Sequence, residues 1–307
     1  MSLLPMLLAA AAAASPKALP PAPLDYRAES MTLEPKGDRV LLERDVSLER
    51  TDLHVTGARA QAQFTEHREG GQTSRSIESF VVDGAVHVVR PAPTAPRTAD
   101  GDHAVYDGGK QTIVLTGAAG PGMAGPVLRE GGERMEGDRI LLHLDSDEVE
   151  VLRPRLFLQR SLPGVAEASA MEKPTPVRIE AGTLRLDQQR RIARFREKVV
   201  VHRGDLVVRG PRLDARYDDK GLLTTLQLRG GVEMVEGERR AVGRQADYDA
   251  ATRTLVLTGD PRLYDRGDVL HGDRIELMLD THEVKVERAT GRLRPDQHKD
   301  EKTGGKE

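Results

Sequence analysis

The side chains able to do chemistry are present but scattered. His54, His87 and His202 fall in alternating, strand-like runs, while His143 and His282 stand beside turn sequences. No two histidines sit at the HxH or HxxxH spacing that would place both imidazoles on one metal, so ordinary strand and surface positions explain them and no metal site is expected. Asp145-Ser146-Asp147-Glu148 offers carboxylates to a hard cation, but a similar run, Asp280-Thr281-His282-Glu283, lacks one of them, and a turn accounts for both. The stretch 117–125, GAAGPGMAG, lacks the Gly-Lys-Ser/Thr ending of a phosphate-cradling loop and reads as a flexible insertion. Two Gly-Asp-Arg triplets, at Gly137 and Gly272, read as tight turns into strands. In a functional reading of these triplets, Arg139 and Arg274 would each pair with a phosphate. The chain has no Cys, which removes thiolate nucleophiles, disulfides and cysteine metal sites. No constellation of acid, base and nucleophile emerges, so no catalytic residue and no cofactor is expected.

What the chain has in quantity is aliphatic side chains at alternate positions, the period of a strand with one apolar face. Leu206 and Val208 face one way, Val207 and Arg209 the other. The same alternation marks Leu184 and Leu186, Leu213, Ala215 and Tyr217, Leu226 and Leu228, Leu255 and Leu257, and Ile275, Leu277 and Leu279. Turn sequences separate these runs, among them Asp218-Asp219-Lys220-Gly221 and Asp249-Ala250-Ala251. No 3.6-residue stripe appears, so the expected class is all-β, a long antiparallel meander of short strands. Two facing sheets of this composition would enclose a smooth aliphatic slot, either packed shut or suited to acyl chains. Open sheet edges at both ends would invite pairing with another sheet.

Composition sets the frame. The 307 residues are 38% hydrophobic but only 3% aromatic, with no Trp, which argues against a deep core built on large aromatic anchors. Length alone suggests two domains. Lys plus Arg (46) nearly balances Asp plus Glu (49), which disfavours nucleic-acid binding by gross charge. The apolar run Leu3–Ala14 is too short to span a bilayer and fits the core of an export signal, with Ala12-Ala13-Ala14 offering a small-residue cleavage site before Ser15. No Lys or Arg precedes Leu3, as the basic start of such a signal would require, and no Cys follows for a lipid anchor. Residues 15–23 form a Pro-rich lead-in.

The strongest signal is an internal repeat. Residues 99–117 (ADGDHAVYDGGKQTIVLTG) and 241–259 (AVGRQADYDAATRTLVLTG) share 10 of 19 positions at an offset of 142. Residues 137–151 and 272–286 share 10 of 15 at an offset of 135, which puts a seven-residue insertion in the segment 118–133. Upstream, at an offset of 153, Met31, Leu33, Val46, Asp52, Gly57 and Phe64 match Leu184, Leu186, Val199, Asp205, Gly210 and Tyr217. The organisation expected is therefore a signal segment at 1–14, one unit at 24–158, a linker at 159–174, a second unit at 175–293 and a polar tail at 294–307.

The second copy, from PVRIEAGTLRLD through ARFREKVVVHRGDLVVRGPRLDARYD, LQLRGGVEMVEG and ADYDAATRTLVLTGDPRL to LHGDRIELMLDTHEVKVE, resembles the OstA-like domain family of lipopolysaccharide transport. Tyr248, Leu257-Thr258-Gly259 and Gly272-Asp273-Arg274-Ile275 are its most specific pieces, and Tyr106, Leu115-Thr116-Gly117 and 137–140 repeat them. The resemblance implies two tandem open β-jellyrolls forming a continuous apolar groove, a periplasmic location, and a non-enzymatic bridge that shields the acyl chains of lipid A. It implies lipopolysaccharide as cargo, an inner-membrane LptC-like partner, an outer-membrane LptD-like partner, and head-to-tail self-association through sheet edges. The ordinary family member carries one such domain, so two in tandem put the need for self-association in doubt. Under this resemblance the groove residues are Val199, Val201, Leu206, Val208, Leu213, Leu226, Leu228, Val232, Met234, Leu255, Leu257, Ile275 and Leu277. Each would bury acyl methylenes at about 0.8 kcal/mol per CH₂. Spacing alone does not separate a groove from a filled core. A rigid envelope spacer without lipid and an inner-membrane-associated LptC-like component remain the alternatives.

Overall fold

The computed structural model describes residues 24–34, 38–69, 72–91, 96–118, 125–130, 132–158, 176–219, 221–278, 281 and 283–292. The expected signal, lead-in, linker and tail lie outside these residues, as do His282 and most of the Gly-rich insertion. Every described element is a strand and every pairing between strands is antiparallel. In chain order the first twelve are β1 (Asp25–Arg27), β2 (Ser30–Leu33), β3 (Arg39–Arg50), β4 (Leu53–Glu69), β5 (Gln72–Arg90), β6 (Arg97–Asp107), β7 (Thr112–Thr116), β8 (Val127–Glu130), β9 (Glu133–Glu136), β10 (Arg139–His143), β11 (Glu148–Leu152) and β12 (Arg155–Leu158). The second twelve are β13 (Val177–Glu180), β14 (Thr183–Asp187), β15 (Ile192–Arg203), β16 (Leu206–Tyr217), β17 (Leu223–Glu236), β18 (Arg239–Asp249), β19 (Thr254–Thr258), β20 (Arg262–Asp265), β21 (Asp268–His271), β22 (Arg274–Met278), β23 (Val284–Glu287) and β24 (Thr290–Arg292).

The two sets repeat one pairing scheme, so that β3 with β4, β6 with β8 and β7 with β10 recur as β15 with β16, β18 with β20 and β19 with β22. Four strands in each set are far longer than the short strands expected from sequence: β3 to β6 and β15 to β18 run from 11 to 19 residues. They reach that length because each bends. Register shifts fall between Glu43 and Val46, Thr56 and Arg59, and Asp83 and Val86, and again between Arg196 and Val199, Arg209 and Arg212, and Arg229 and Val232. These are bulges, and aligned bulges bend a sheet along a line. At one of them Gly230 and Gly231 take φ of 94° and 101°, a backbone region costly for any residue with a Cβ.

Each set is thus a folded leaf. The front half carries β2, β7, β10 and β11, or β14, β19, β22 and β23, beside one half of the long strands. The back half carries β1, β8, β9 and β12, or β13, β20, β21 and β24, beside the other. The sets join edge to edge in both halves, β11 with β14 in front and β12 with β13 behind. One continuous apolar core runs between the halves through both sets. Aromatic residues are few but central to it, against the expectation from composition: Phe80 stacks on Tyr106 with ring centroids 4.7 Å apart, and Phe195 is fully buried.

The Gly-Asp-Arg triplets are turns in which the glycine is a packing requirement. A Cβ on Gly137 would press on Val151 Cγ1 and the Leu152 carbonyl oxygen, and one on Gly272 on Val286 Cγ1 and the Glu287 carbonyl oxygen. The next residue is held by Asp138 N donating to Leu152 O at 2.9 Å and Asp273 N to Glu287 O at 3.0 Å. Gly137→Ala is therefore expected to destabilise the protein by about 1–3 kcal/mol through overpacking, read as a lower thermal midpoint. An unchanged midpoint would show that β11 yields freely at this contact.

Candidate functional site

The long strands position the aliphatic side chains in rows that cross the second set. On the front half, Phe195, Leu213, Leu228, Ala246, Leu257 and Ile275 form a row near the bend. A second row, farther from the bend, holds Ala193, Ala215, Leu226, Tyr248, Leu255 and Leu277. On the back half, Val201, Val208, Met234, Ala241 and Leu263 lie opposite, and the rim row beyond them is Arg203, Leu206, Glu236 and Arg239. The side away from the bend is the mouth of the leaf.

Depth divides the thirteen expected groove residues. Val199, Leu213, Leu228, Val232, Leu255, Leu257 and Ile275 are buried in the core, Leu257 and Ile275 with no exposed surface. Val201, Leu206, Val208, Leu226, Met234 and Leu277 are only half-buried. Leu206, Met234, Leu263, Leu277 and Val284 line a cavity of about 90 Å³ that opens at the rim beside Glu236 and Arg239. That is small beside the roughly 300–1,000 Å³ of a typical ligand pocket, so a multi-chain lipid would have to part the two halves further.

Charge is confined to the rim. Arg239 pairs with Asp265 at 2.8 Å on its own half of the leaf. Arg203 has a buried Nε without a hydrogen-bond partner, and desolvation holds its pKa below the usual arginine value. Burial pushes the Tyr217 hydroxyl pKa upward, so it stays neutral at the mouth. The rim of the first set is built differently. Arg90 and Arg97 both reach Asp147 Oδ1, at 3.0 and 3.1 Å, Arg90 also donates to Leu144 O at 3.2 Å, and Arg50 donates to the Tyr106 hydroxyl at 3.4 Å. These bonds join the back half to the front half. They escaped the sequence reading because Asp147 lies 50 or more residues from both arginines, and nothing local marks the pairing.

The remaining expectations fall outside this interior. Arg139 and Arg274 point to the outer surface. Arg274 is engaged by Glu276 at 2.6 Å, whereas Arg139 has no ion pair among the described residues and borders a shallow depression with Arg185, Arg194 and Arg196. His143, Glu148 and Glu150, never grouped in sequence, bring their ligand atoms within 4.8 Å of one another. The Arg185 guanidinium already occupies both carboxylates, at 2.5 Å from Glu148 and 3.6 Å from Glu150.

The family described as "LptA/(LptD N-terminal domain) LPS transport protein" matches residues 26–148 and 178–283. A stretch of 75 residues is 36% identical to the LPS-assembly protein LptD of Pseudomonas syringae pv. syringae (strain B728a), covering 24% of this chain and 8% of that protein. The LptD of Pseudomonas savastanoi pv. phaseolicola (strain 1448A / Race 6) is 35% identical over the same length, with the same coverage. The chain therefore spans about 8% of the length of these relatives. Among solved structures, LptH, the LptA-homologous periplasmic component of the lipopolysaccharide transport device of Pseudomonas aeruginosa, is similar at a TM-score of 0.37 and 18% identity, over 39% of this chain and 96% of that one.

The depth division predicts opposite outcomes for one substitution at two places. Leu257→Asp would bury an unpaired carboxylate at a position with no exposed surface, costing several kcal/mol, roughly the whole stability of a domain. It is expected to abolish the cooperative unfolding transition followed by far-UV circular dichroism. Met234→Asp, whose side chain already meets solvent at the mouth, is expected to keep that transition with a modestly lower midpoint. If both variants unfold alike, the second leaf is a filled core throughout.

Proposed function

The chain belongs to the family of LptA/(LptD N-terminal domain) LPS transport proteins, and from that membership we propose that it is a periplasmic, non-enzymatic bridge whose second leaf shields the acyl chains of lipopolysaccharide on their way to the outer membrane. The observation that carries this reading is the band of six aliphatic side chains, Val201, Leu206, Val208, Leu226, Met234 and Leu277, that face inward yet stay half-open to water. A leaf selected only as a spacer would gain stability by closing over them. Here they stay accessible behind a charged rim, the arrangement an amphiphile needs when its chains go in and its head stays out.

The same reading supplies the partners. Large apolar residues are exposed at the outer edges of the assembly: Tyr26 (55%) on β1, Met31 (50%) and Leu33 (51%) on β2, and Val284 (37%) on β23. Their counterparts at the junction between the sets are more covered, Ile179, Leu184 and Val149 being buried and Leu186 half-buried, because β13 and β14 cover β12 and β11. Among the described residues, each outer end is therefore a junction face without its complement. An LptC-like strand pair at one end, an LptD-like pair at the other, or another copy of this chain would complete it by strand addition. The two units, 24–158 and 175–293, would act as a covalently doubled bridge segment. The 75-residue likeness to LPS-assembly proteins favours a second reading, a module held within the assembly machinery itself.

Native mass spectrometry of protein purified from an envelope containing lipopolysaccharide is expected to show a population heavier by one lipid. Met234→Asp is expected to reduce that population at least tenfold. A clean apo mass for the unaltered protein, with no lipid on organic extraction, would sink the lipid reading in favour of the spacer.

A further inference from the structure

The two leaves share a frame but differ in their interiors, residue for residue. The six half-open positions of the second leaf correspond in register to Leu48, Leu53, Val55, Phe80, Val88 and Leu142 of the first. All six of these are at most 3% exposed. Proximity to a free edge does not explain the difference. Leu48 lies on β3, one strand from β1, the edge among the described residues, and is shut, while Val201 lies on β15 behind β13 and the whole of the first set, and is half-open.

Two features close the first mouth, the filling by Phe80 and the tie on Asp147, and neither recurs among the described residues of the second. One is filling. Phe80 stacks on Tyr106 and stands where the second leaf has Leu226 beside Tyr248. The other is the set of bonds across the mouth, in which Arg90 and Arg97 meet on Asp147 and Arg50 meets Tyr106. In the second leaf the position of Arg90 is held by Glu236, an acid where the first leaf has a base, which interacts electrostatically with Arg203 on its own half. The position of Arg97 is held by Arg239, turned to Asp265 on its own half, and that of Arg50 by Arg203, whose Nε has no partner.

We propose that the two leaves divide the work, the first being a strut tied shut by Asp147 and plugged by Phe80, and the second alone admitting an acyl chain at its mouth. This rests on the lipid reading above and deepens it by placing the site in one leaf. The occupant is a lipid chain and not a peptide, because the mouth is lined mainly by apolar side chains, with charge at its rim. The Arg203 guanidinium at the rim, whose Nε has no hydrogen-bond partner, suits the anionic head of such an amphiphile.

The experiment places the photocrosslinking residue p-benzoylphenylalanine at Leu53 or at Leu206, which are equivalent positions in the two leaves, in the full chain. Each protein is irradiated with purified lipid A dispersed in mild detergent. Labelling is expected at Leu206 and at least tenfold less at Leu53. In an Arg90→Glu background, which installs the residue of the second leaf, or with Asp147→Ala, labelling at Leu53 is expected to rise toward that at Leu206. Arg90→Glu keeps the Arg97 pair and serves if Asp147→Ala fails to fold, which circular dichroism reports. Equal labelling of both positions in the unaltered chain, or a folded Arg90→Glu protein whose Leu53 stays dark, would overturn the division of work while leaving the lipid reading intact. Labelling at neither position in any background would overturn both.

Discussion

Everything in this molecule depends on keeping one apolar face through a bend. A strand of 11 to 19 residues that stayed straight would form a flat, two-sided sheet with nothing to bury against. The aligned bulges at 43–46, 56–59 and 83–86, and at 196–199, 209–212 and 229–232, solve this by folding every long strand along one line. The inward stripe resumes on the far side of each bulge, so Leu206 and Val208 before the bend on β16 face the same interior as Leu213 and Ala215 beyond it. The strained backbone is local, at Arg44-Asp45, Gly84-Ala85, Glu197-Lys198 and Gly230-Gly231. Because the halves are continuous chain, the interior opens or closes only at the mouth, where no strand crosses. The side chains of the rim therefore decide what the interior holds.

That constraint explains how one repeat yields two interiors. Edge pairing, bulges and the Gly-Asp-Arg turns are backbone features, fixed by a few residues that both copies retain. The rim is free to differ, because an exchange there leaves the bend untouched. Replacing Arg90 by the glutamate of the second copy, and Phe80 by its leucine, changes no strand pairing, yet removes a tie and a plug together. Burial follows from the rim and not from hydrophobicity: Val208 and Val55 are the same residue at the same place, one half-open and the other shut.

Much of this was legible in the sequence. The repeat fixed the equivalences, the period of two gave the inward stripe, and Leu206 against Val207 showed which side chains share a face. What stayed hidden was length and depth. Short strands were expected where bent long ones occur, because a bulge interrupts the alternation much as a turn does. The thirteen groove candidates read alike in sequence, but seven are buried in the core and six are half-buried, a distinction that depends on what packs over each one across the leaf. Asp147 read as a turn residue, which it is, with a φ of 58°, but its side chain also gathers two arginines from the other half. Pairings 50 and 57 residues apart leave no local trace.

The tandem arrangement bears on how such a protein chooses its neighbours. At the internal junction the register is specified by charge as well as by apolar contact: Arg185 of β14 sits on Glu148 and Glu150 of β11. The corresponding residues at the outer ends are Thr32 on β2, and Glu283 and Lys285 at β23, so an end-to-end contact between two chains would keep the apolar pairing and lose the arginine clamp. Strand edges paired only through backbone and aliphatic contacts are weakly specified in register and prone to slip. Joining two leaves in one chain therefore secures the junction that must not slip. It leaves the outer faces, with Met31, Leu33 and Val284 exposed, as sites where a partner's own side chains set the register. The interior stays continuous across the secured junction, which is the property a conduit or a strut needs alike, and only the rim of the second leaf tells the two apart.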